Sequence, residues 1–124
     1  MKEDAEINKT TEQIIGCAYQ VHKVLGCGFL EKVYENALVH EMRRKGLAVE
    51  QQVPVEVYYD EIIAGTYQAD IVVQKEVIVE LKAVEELNNL HLAQCLNYLR
   101  ATGKKVCLLL NFGKPKLQIK RVQA

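Results

Sequence analysis

Gln68-Ala69-Asp70-Ile71-Val72-Val73-Gln74-Lys75-Glu76-Val77-Ile78-Val79-Glu80-Leu81-Lys82 is the stretch whose reading decides the fold. Two β-branched runs, Ile71–Val73 and Val77–Val79, flank a short polar turn, the pattern of two strands joined by a tight connection. The acids and the lysine at the outer ends are poor filler for such strands, because burying them unpaired is costly. Side chains alternate across a strand, so Glu80 and Lys82 share a face. A hairpin centred on Lys75 sets Asp70 opposite Glu80, with Cβ atoms about 5 Å apart; a slip of one residue would turn Asp70 to the other face. In that register two like charges repel unless a cation bridges them.

Those residues outline a metal-dependent hydrolytic site with phosphodiesters as the natural substrate. Asp70 and Glu80 would hold Mg²⁺ or Mn²⁺, hard ions that prefer oxygen ligands, and Leu81 could add its backbone carbonyl. Lys82 would orient or help deprotonate the attacking water and stabilise charge building on the phosphate. An exposed Glu80–Lys82 salt bridge would read the same way in sequence, and the strand residues alone leave both open.

Upstream, Val53, Val55 and Val57 alternate as in a strand, and Asp60-Glu61 turns the chain into the strand that ends at Val73. Ahead of these lie two helices. The first is capped at Thr10 or Thr11, carries Ile14, Ala18, Val21 and Leu25 at helical spacing, and closes at Gly26-Cys27-Gly28, leaving residues 1–9 as a flexible lead. The second runs from about Leu30 to Lys45, with Leu30, Val33, Tyr34, Ala37 and Leu38 as its apolar stripe and Gly46 as its stop. Downstream, a third helix spans Asn88 to Thr102-Gly103, an almost wholly apolar strand follows from Lys105 to Asn111, and Phe112-Gly113-Lys114-Pro115 turns into a last strand, Leu117 to Val122. The order α-α-β-β-β-α-β-β reads as one α/β domain over residues 1–124 with a mixed sheet flanked by helices.

Composition narrows the partners. With 124 residues and a formal net charge of zero, the chain has no global field to draw nucleic acid, so a local patch such as Lys114, Lys116, Lys120 and Arg121 would have to serve. Four scattered cysteines form no CxxC pair, and Cys17, Cys95 and Cys107, in apolar periodic segments, read as buried thiols rather than a metal knot. No stretch resembles a signal peptide, and no apolar run approaches the ~20 residues that span a bilayer. The expectation is a cytoplasmic protein with reduced thiols and no membrane contact.

Other residues could complete the site. Glu31 lies at the margin of the second helix's apolar stripe and Glu41 nearer its middle; periodicity does not choose between them. In the third helix His91, Gln94 and Tyr98 form a polar row beside an apolar row of Leu92, Leu96 and Leu99. Gln94 could hold a carboxylate or the attacking water, and Tyr98 could touch substrate or brace Gln94; a solvated helix face is the competing reading. Tyr34, His91 and Lys116 are the expected substrate contacts. His22 is expected in the core and His40 in solvent.

The run Gly28-Phe29-Leu30-Glu31-Lys32-Val33-Tyr34 resembles the signature of the GxxExxY protein family, and the resemblance extends through Ala69-Asp70, Val79-Glu80-Leu81-Lys82, Gln94-Cys95-Leu96-Asn97-Tyr98-Leu99 and Leu108-Leu109-Leu110-Asn111-Phe112-Gly113. That family is placed in the PD-(D/E)XK nuclease-like superfamily. The resemblance implies a restriction-endonuclease-like core and a divalent-metal site cutting phosphodiesters, with DNA preferred by family habit. It assigns Asp70, Glu80 and Lys82 to the core signature and Glu31 to the helix acid, and Gln94 and Tyr98 resemble the QxxxY motif of RecB-like exonucleases. Ala69 stands where the superfamily name has proline, and that residue is not a ligand. The alternative is an inactive module that keeps the fold and binds nucleic acid or protein. Neutral charge and small size imply that a homodimer or a protein partner shares the grip.

Overall fold

β-branched and apolar residues fill the middle of a five-stranded sheet of order β1-β2-β3-β4-β5, made by β1 (Val49–Tyr59), β2 (Ile62–Val73), β3 (Val77–Lys82), β4 (Val106–Asn111) and β5 (Gln118–Gln123). The structure is a computed structural model and describes residues 2–124. β3 and β4 are parallel, and the other neighbours are antiparallel. A parallel pair needs a crossover, and α3 (Asn89–Thr102) supplies it, while α1 (Lys2–Leu25) and α2 (Glu31–Arg44) precede the sheet. The mixed α/β architecture and its element order are those read from the sequence.

Helices cover both faces. Ile14, Ala18 and Val21 of α1 and Tyr34, Leu38 and Met42 of α2 pack with Val73, Val79, Leu81 and Leu110 on one side. Cys95, Tyr98 and Leu99 of α3 pack with Ala69, Ile78, Cys107 and Leu109 on the other. β4 is buried at every residue, as its unbroken apolar run requires.

Three local expectations are corrected. Residues 2–9 are helical rather than a flexible lead, and Met1 lies outside the described residues. Ile7 continues the apolar period, and Thr10 and Thr11 are buried inside the helix instead of capping it. Arg121 ties the segment down by donating to Asn8 Oδ1 at 2.9 Å and Thr11 Oγ1 at 3.2 Å. The inward face of α2 is Tyr34, Glu35, Leu38, Val39 and Met42, so Leu30 and Val33 face solvent. In α3 the fully covered row is Cys95, Tyr98 and Leu99, with Leu92 and Leu96 half-buried.

The sheet is kinked beside the acids. The β1–β2 ladder pairs Gln51 with Ile71 and Val53 with Ala69, skipping Gln52 and Asp70 between them. Gln52 adopts φ 51°. Across the kink the faces exchange: Val49 and Ile71 pack towards α1 and α2, whereas Val53, Val55 and Ala69 pack towards α3. An irregularity of this kind re-aims side chains and releases backbone groups from the ladder.

Candidate active site

Hairpin registry places the acids together. Ile71, Val72 and Val73 pair with Val79, Ile78 and Val77, a ladder centred on Lys75 that brings Asp70 and Glu80 side by side at its open end. Beyond Ile71 the carboxylates take over from the backbone. The Asp70 amide donates to Glu80 Oε2 at 2.7 Å, and the Leu81 amide donates to Asp70 Oδ2 at 3.0 Å. Glu80 is only 5% exposed and Asp70 is half-buried. Burial first, and the Asp70 charge second, push the Glu80 carboxyl up to about 9.

Glu31, the first residue of α2, lies within electrostatic reach of Asp70 and Lys82. Burial raises its acid, the Asp70 charge raises it further, and the Lys82 ammonium pulls it back down. The structure thus separates the two α2 candidates, because Glu41 lies near Cys17 and Arg44 instead. Lys82 is half-buried and has no ion-pair partner among the described residues. Leu81 buries its side chain in the α1–α2 core, and its amide is held by Asp70.

From α3, Gln94 Nε2 lies 3.3 Å from the Tyr98 hydroxyl, which donates to the Gln68 carbonyl at 3.3 Å. Burial and then the Glu80 charge push the Tyr98 phenol up to about 12, so it stays protonated. Tyr98 therefore braces Gln94 and the strand leading to Asp70. Gly103, at φ 73°, stops the helix in the left-handed conformation that glycine favours.

Tyr34, one of the expected substrate contacts, holds another position. Tyr34 is fully buried: its hydroxyl donates to the Gly26 carbonyl at 2.7 Å and accepts the Phe29 amide at 3.1 Å, and its ring stacks on Phe112 at 4.8 Å. It anchors the loop before Glu31 and cannot reach a ligand. His91 caps α3, its Nδ1 accepting the Asn88 amide at 3.2 Å. Burial lowers its basicity, with the Lys82 charge acting in the same direction. Lys116 is exposed on the loop after β4, at the end of the sheet where β3 delivers Lys82.

Glu35 escaped the sequence reading. It is 2% exposed and accepts from Lys32, Gln51 and Gln52, fastening α2 to the kink opposite Asp70. Its position one turn after Glu31, with the paired glutamines breaking the alternation of β1, was the available signal.

A divalent cation fits the chemistry of this donor set. Glu80 and Asp70 are hard oxygen donors; burial first and the Asp70 charge second raise the Glu80 acid well above its ordinary range, and Glu31 feels the same field. Among the described residues, no three acid, imidazole or thiol groups already converge as a closed cage. Two carboxylates with a third in the same field match the partly hydrated sites that Mg²⁺ takes.

The model of the PD-(D/E)XK nuclease superfamily matches residues 8–122, and the chain belongs to that superfamily. No curated protein sequence matches it significantly. Among solved structures it is similar to an alkaline exonuclease from Laribacter hongkongensis, at 14% identity and a TM-score of 0.55, over 74% of this chain and 55% of that one. That likeness is one of fold, and this chain spans little more than half the length of that enzyme's chain.

Proposed function

We propose that this protein is a divalent-metal-dependent nuclease that hydrolyses phosphodiester bonds in DNA through Asp70, Glu80 and Lys82, with Glu31 in support. The interlocked Asp70–Glu80 carboxylates, with a Lys82 that has no ion-pair partner among the described residues, carry the reading. Asp70, Glu80 and the Leu81 carbonyl would hold Mg²⁺ or Mn²⁺, with Glu31 acting through water. When bound, the ion supplies Lewis-acid charge at the scissile phosphate.

The chain's own residues do the rest. The Lys82 ammonium orients the attacking water and donates to the phosphate oxygen on which charge builds. Gln94, braced by Tyr98, presents an amide to the water or to a carboxylate. Zero net charge leaves part of the nucleic-acid grip to a second copy or a partner protein. Among the described residues no helix is long and apolar enough to cross a membrane.

Cleavage of labelled single-stranded, duplex and branched DNA by wild type, Glu80→Gln and Lys82→Ala tests the proposal. Cutting that needs Mn²⁺ or Mg²⁺ and disappears in both variants is expected. Wild-type protein that cuts nothing, or cation-dependent cutting that survives both changes, overturns it.

A further inference from the structure

A cleft of about 650 Å³ opens between the outer side of α3 and the projecting β1–β2 hairpin. Tyr58, Tyr67, Asn97 and Arg100 line it, together with Gln94 and Tyr98 of the candidate site. We propose that this cleft takes the unpaired bases of a single-stranded nucleic acid and feeds that strand to Asp70 and Glu80; the inference rests on the nuclease reading and names its substrate class.

Four observations carry it. First, Tyr58 and Tyr67 are 61% and 57% exposed on the same cleft, leaving two aromatic faces open to a ligand. Second, both rings are held: Glu56 Oε2 accepts the Tyr58 hydroxyl at 2.8 Å, and Tyr67 meets Tyr98 edge-on, with ring centres 6.4 Å apart and planes at 83°. A fixed aromatic face stacks on any base whatever its sequence. Third, the cleft adjoins the site, since Gln94 and Tyr98 line it and the Tyr98 hydroxyl donates to the Gln68 carbonyl, two residues before Asp70. Fourth, its charge suits bases better than two phosphate backbones. Arg100 is the one cation among the lining residues and has no partner among the described residues, whereas Glu56 adds an anion. Duplex binding draws chiefly on many phosphate contacts, which this lining cannot supply. The amides of Asn97 and Gln94 offer donors and acceptors to base edges of the kind unpaired strands expose.

Fluorescence anisotropy in EDTA, with fluorescein-labelled oligothymidylate and oligouridylate of about 15 nucleotides and a blunt duplex of equal length, tests the proposal. Tighter binding of the single strands than of the duplex is expected. Tyr67→Ala and Tyr58→Ala should each weaken single-strand binding about 5- to 150-fold, while Tyr67→Phe keeps it. Leu90→Glu, at an exposed position on the cleft, adds repulsion without touching the core and should weaken binding too. Light-induced attachment of an iodouracil-substituted strand should fall on Tyr58 or Tyr67. The DNA and RNA arms show which sugar the cleft accepts. Equal binding of duplex and single strand, or full single-strand affinity in both Tyr→Ala variants and in Leu90→Glu, overturns the inference. Tyrosine-dependent binding without cleavage would instead remove the nuclease reading and leave the cleft; cleavage of duplex indifferent to the tyrosines would do the reverse.

Discussion

Asp70 and Glu80 lock each other's strands: the Asp70 amide donates to Glu80 Oε2 at 2.7 Å, and Asp70 Oδ2 takes the amide of the residue after Glu80 at 3.0 Å. The exchange replaces ladder bonds beyond Ile71–Val79, and it sets two carboxyl groups side by side in a place with little water.

This arrangement fixes how metal-free stability depends on pH. The folded chain holds the Glu80 proton up to about pH 9, against an ordinary 4.5. Near pH 4.5 and below, both folded and unfolded chains carry it, and its stabilisation is fully present. As pH rises the unfolded chain deprotonates first, so stability falls by up to about 1.4 kcal/mol per pH unit for one such proton, until the folded carboxyl ionises near pH 9. Urea unfolding in EDTA at pH 5, 7 and 9 should show this decline, with Glu80→Gln flattening it. A wild-type stability that climbs across the range would contradict the buried, strained carboxyl.

A cation should reverse the decline. At pH 8, Mn²⁺ at about a hundred times its dissociation constant adds about 2.7 kcal/mol, read as a rise in melting temperature; the gain should shrink at pH 5 and vanish in Asp70→Asn. Relief of repulsion alone favours Asp70→Ala as neutral or stabilising. The Leu81 amide changes that expectation, since alanine leaves it unpaired at a cost of about 1–3 kcal/mol. Asparagine keeps the acceptor, so the metal-free Asn variant should melt above the Ala variant.

Lys82 should separate catalysis from folding. Its ammonium has no ion-pair partner among the described residues, so Lys82→Gln should alter stability by no more than about 0.5 kcal/mol. Loss of a charge aimed at the reacting phosphate should lower kcat by about a hundredfold or more. Parallel melting and single-turnover cleavage would check the split. A variant that melts early in proportion to its lost activity would make Lys82 a structural residue.

The strands were legible because β-branched runs bounded by polar turns mark them: Val77–Lys82 has the bounds read from its residues, and the register centred on Lys75, an assumption in the sequence, is the one found. Asp70 and Glu80 were legible because acids interrupt apolar strands. The kink at Gln52 was not, because the paired glutamines interrupt the alternation of β1 without showing that one is left-handed, which depends on partners such as Glu35 on a distant helix. Tyr34 was misread for a related reason: periodicity gives a helix's apolar side, but the stack on Phe112 at 4.8 Å, nearly eighty residues away, sets which way that side turns. The lead into α1 was lost because Arg121, at the far end of the chain, supplies its contacts.

Tyr34→Phe should test the anchoring role. The change keeps the stack on Phe112 but removes the bond to the Gly26 carbonyl and leaves the Phe29 amide without its acceptor. Stability should fall by about 1–3 kcal/mol with binding of nucleic acid unchanged, as measured by denaturant unfolding and anisotropy. A loss of affinity with stability intact would restore Tyr34 to the substrate surface.

Asn111 fastens the exit of β3 just past Lys82. Its Oδ1 accepts the Val84 and Gly113 amides, each at 3.0 Å, and its Nδ2 donates to the Val84 carbonyl at 3.0 Å and Gln118 Oε1 at 3.1 Å. The side chain is fully buried, so Asn111→Ala strands several polar groups at once and should cost about 3 kcal/mol or more. Gly113, two residues further along in the loop after β4, lies against the same segment: a Cβ there would collide with the Val84 amide and carbonyl. Gly113→Ala must therefore push Val84, and with it Lys82, away from β4. Cleavage by any folded Gly113→Ala protein should drop further than its melting temperature explains, because the ammonium moves relative to Asp70 and Glu80. Activity retained in full would mean that the chain after Lys82 is free to shift without disturbing the site.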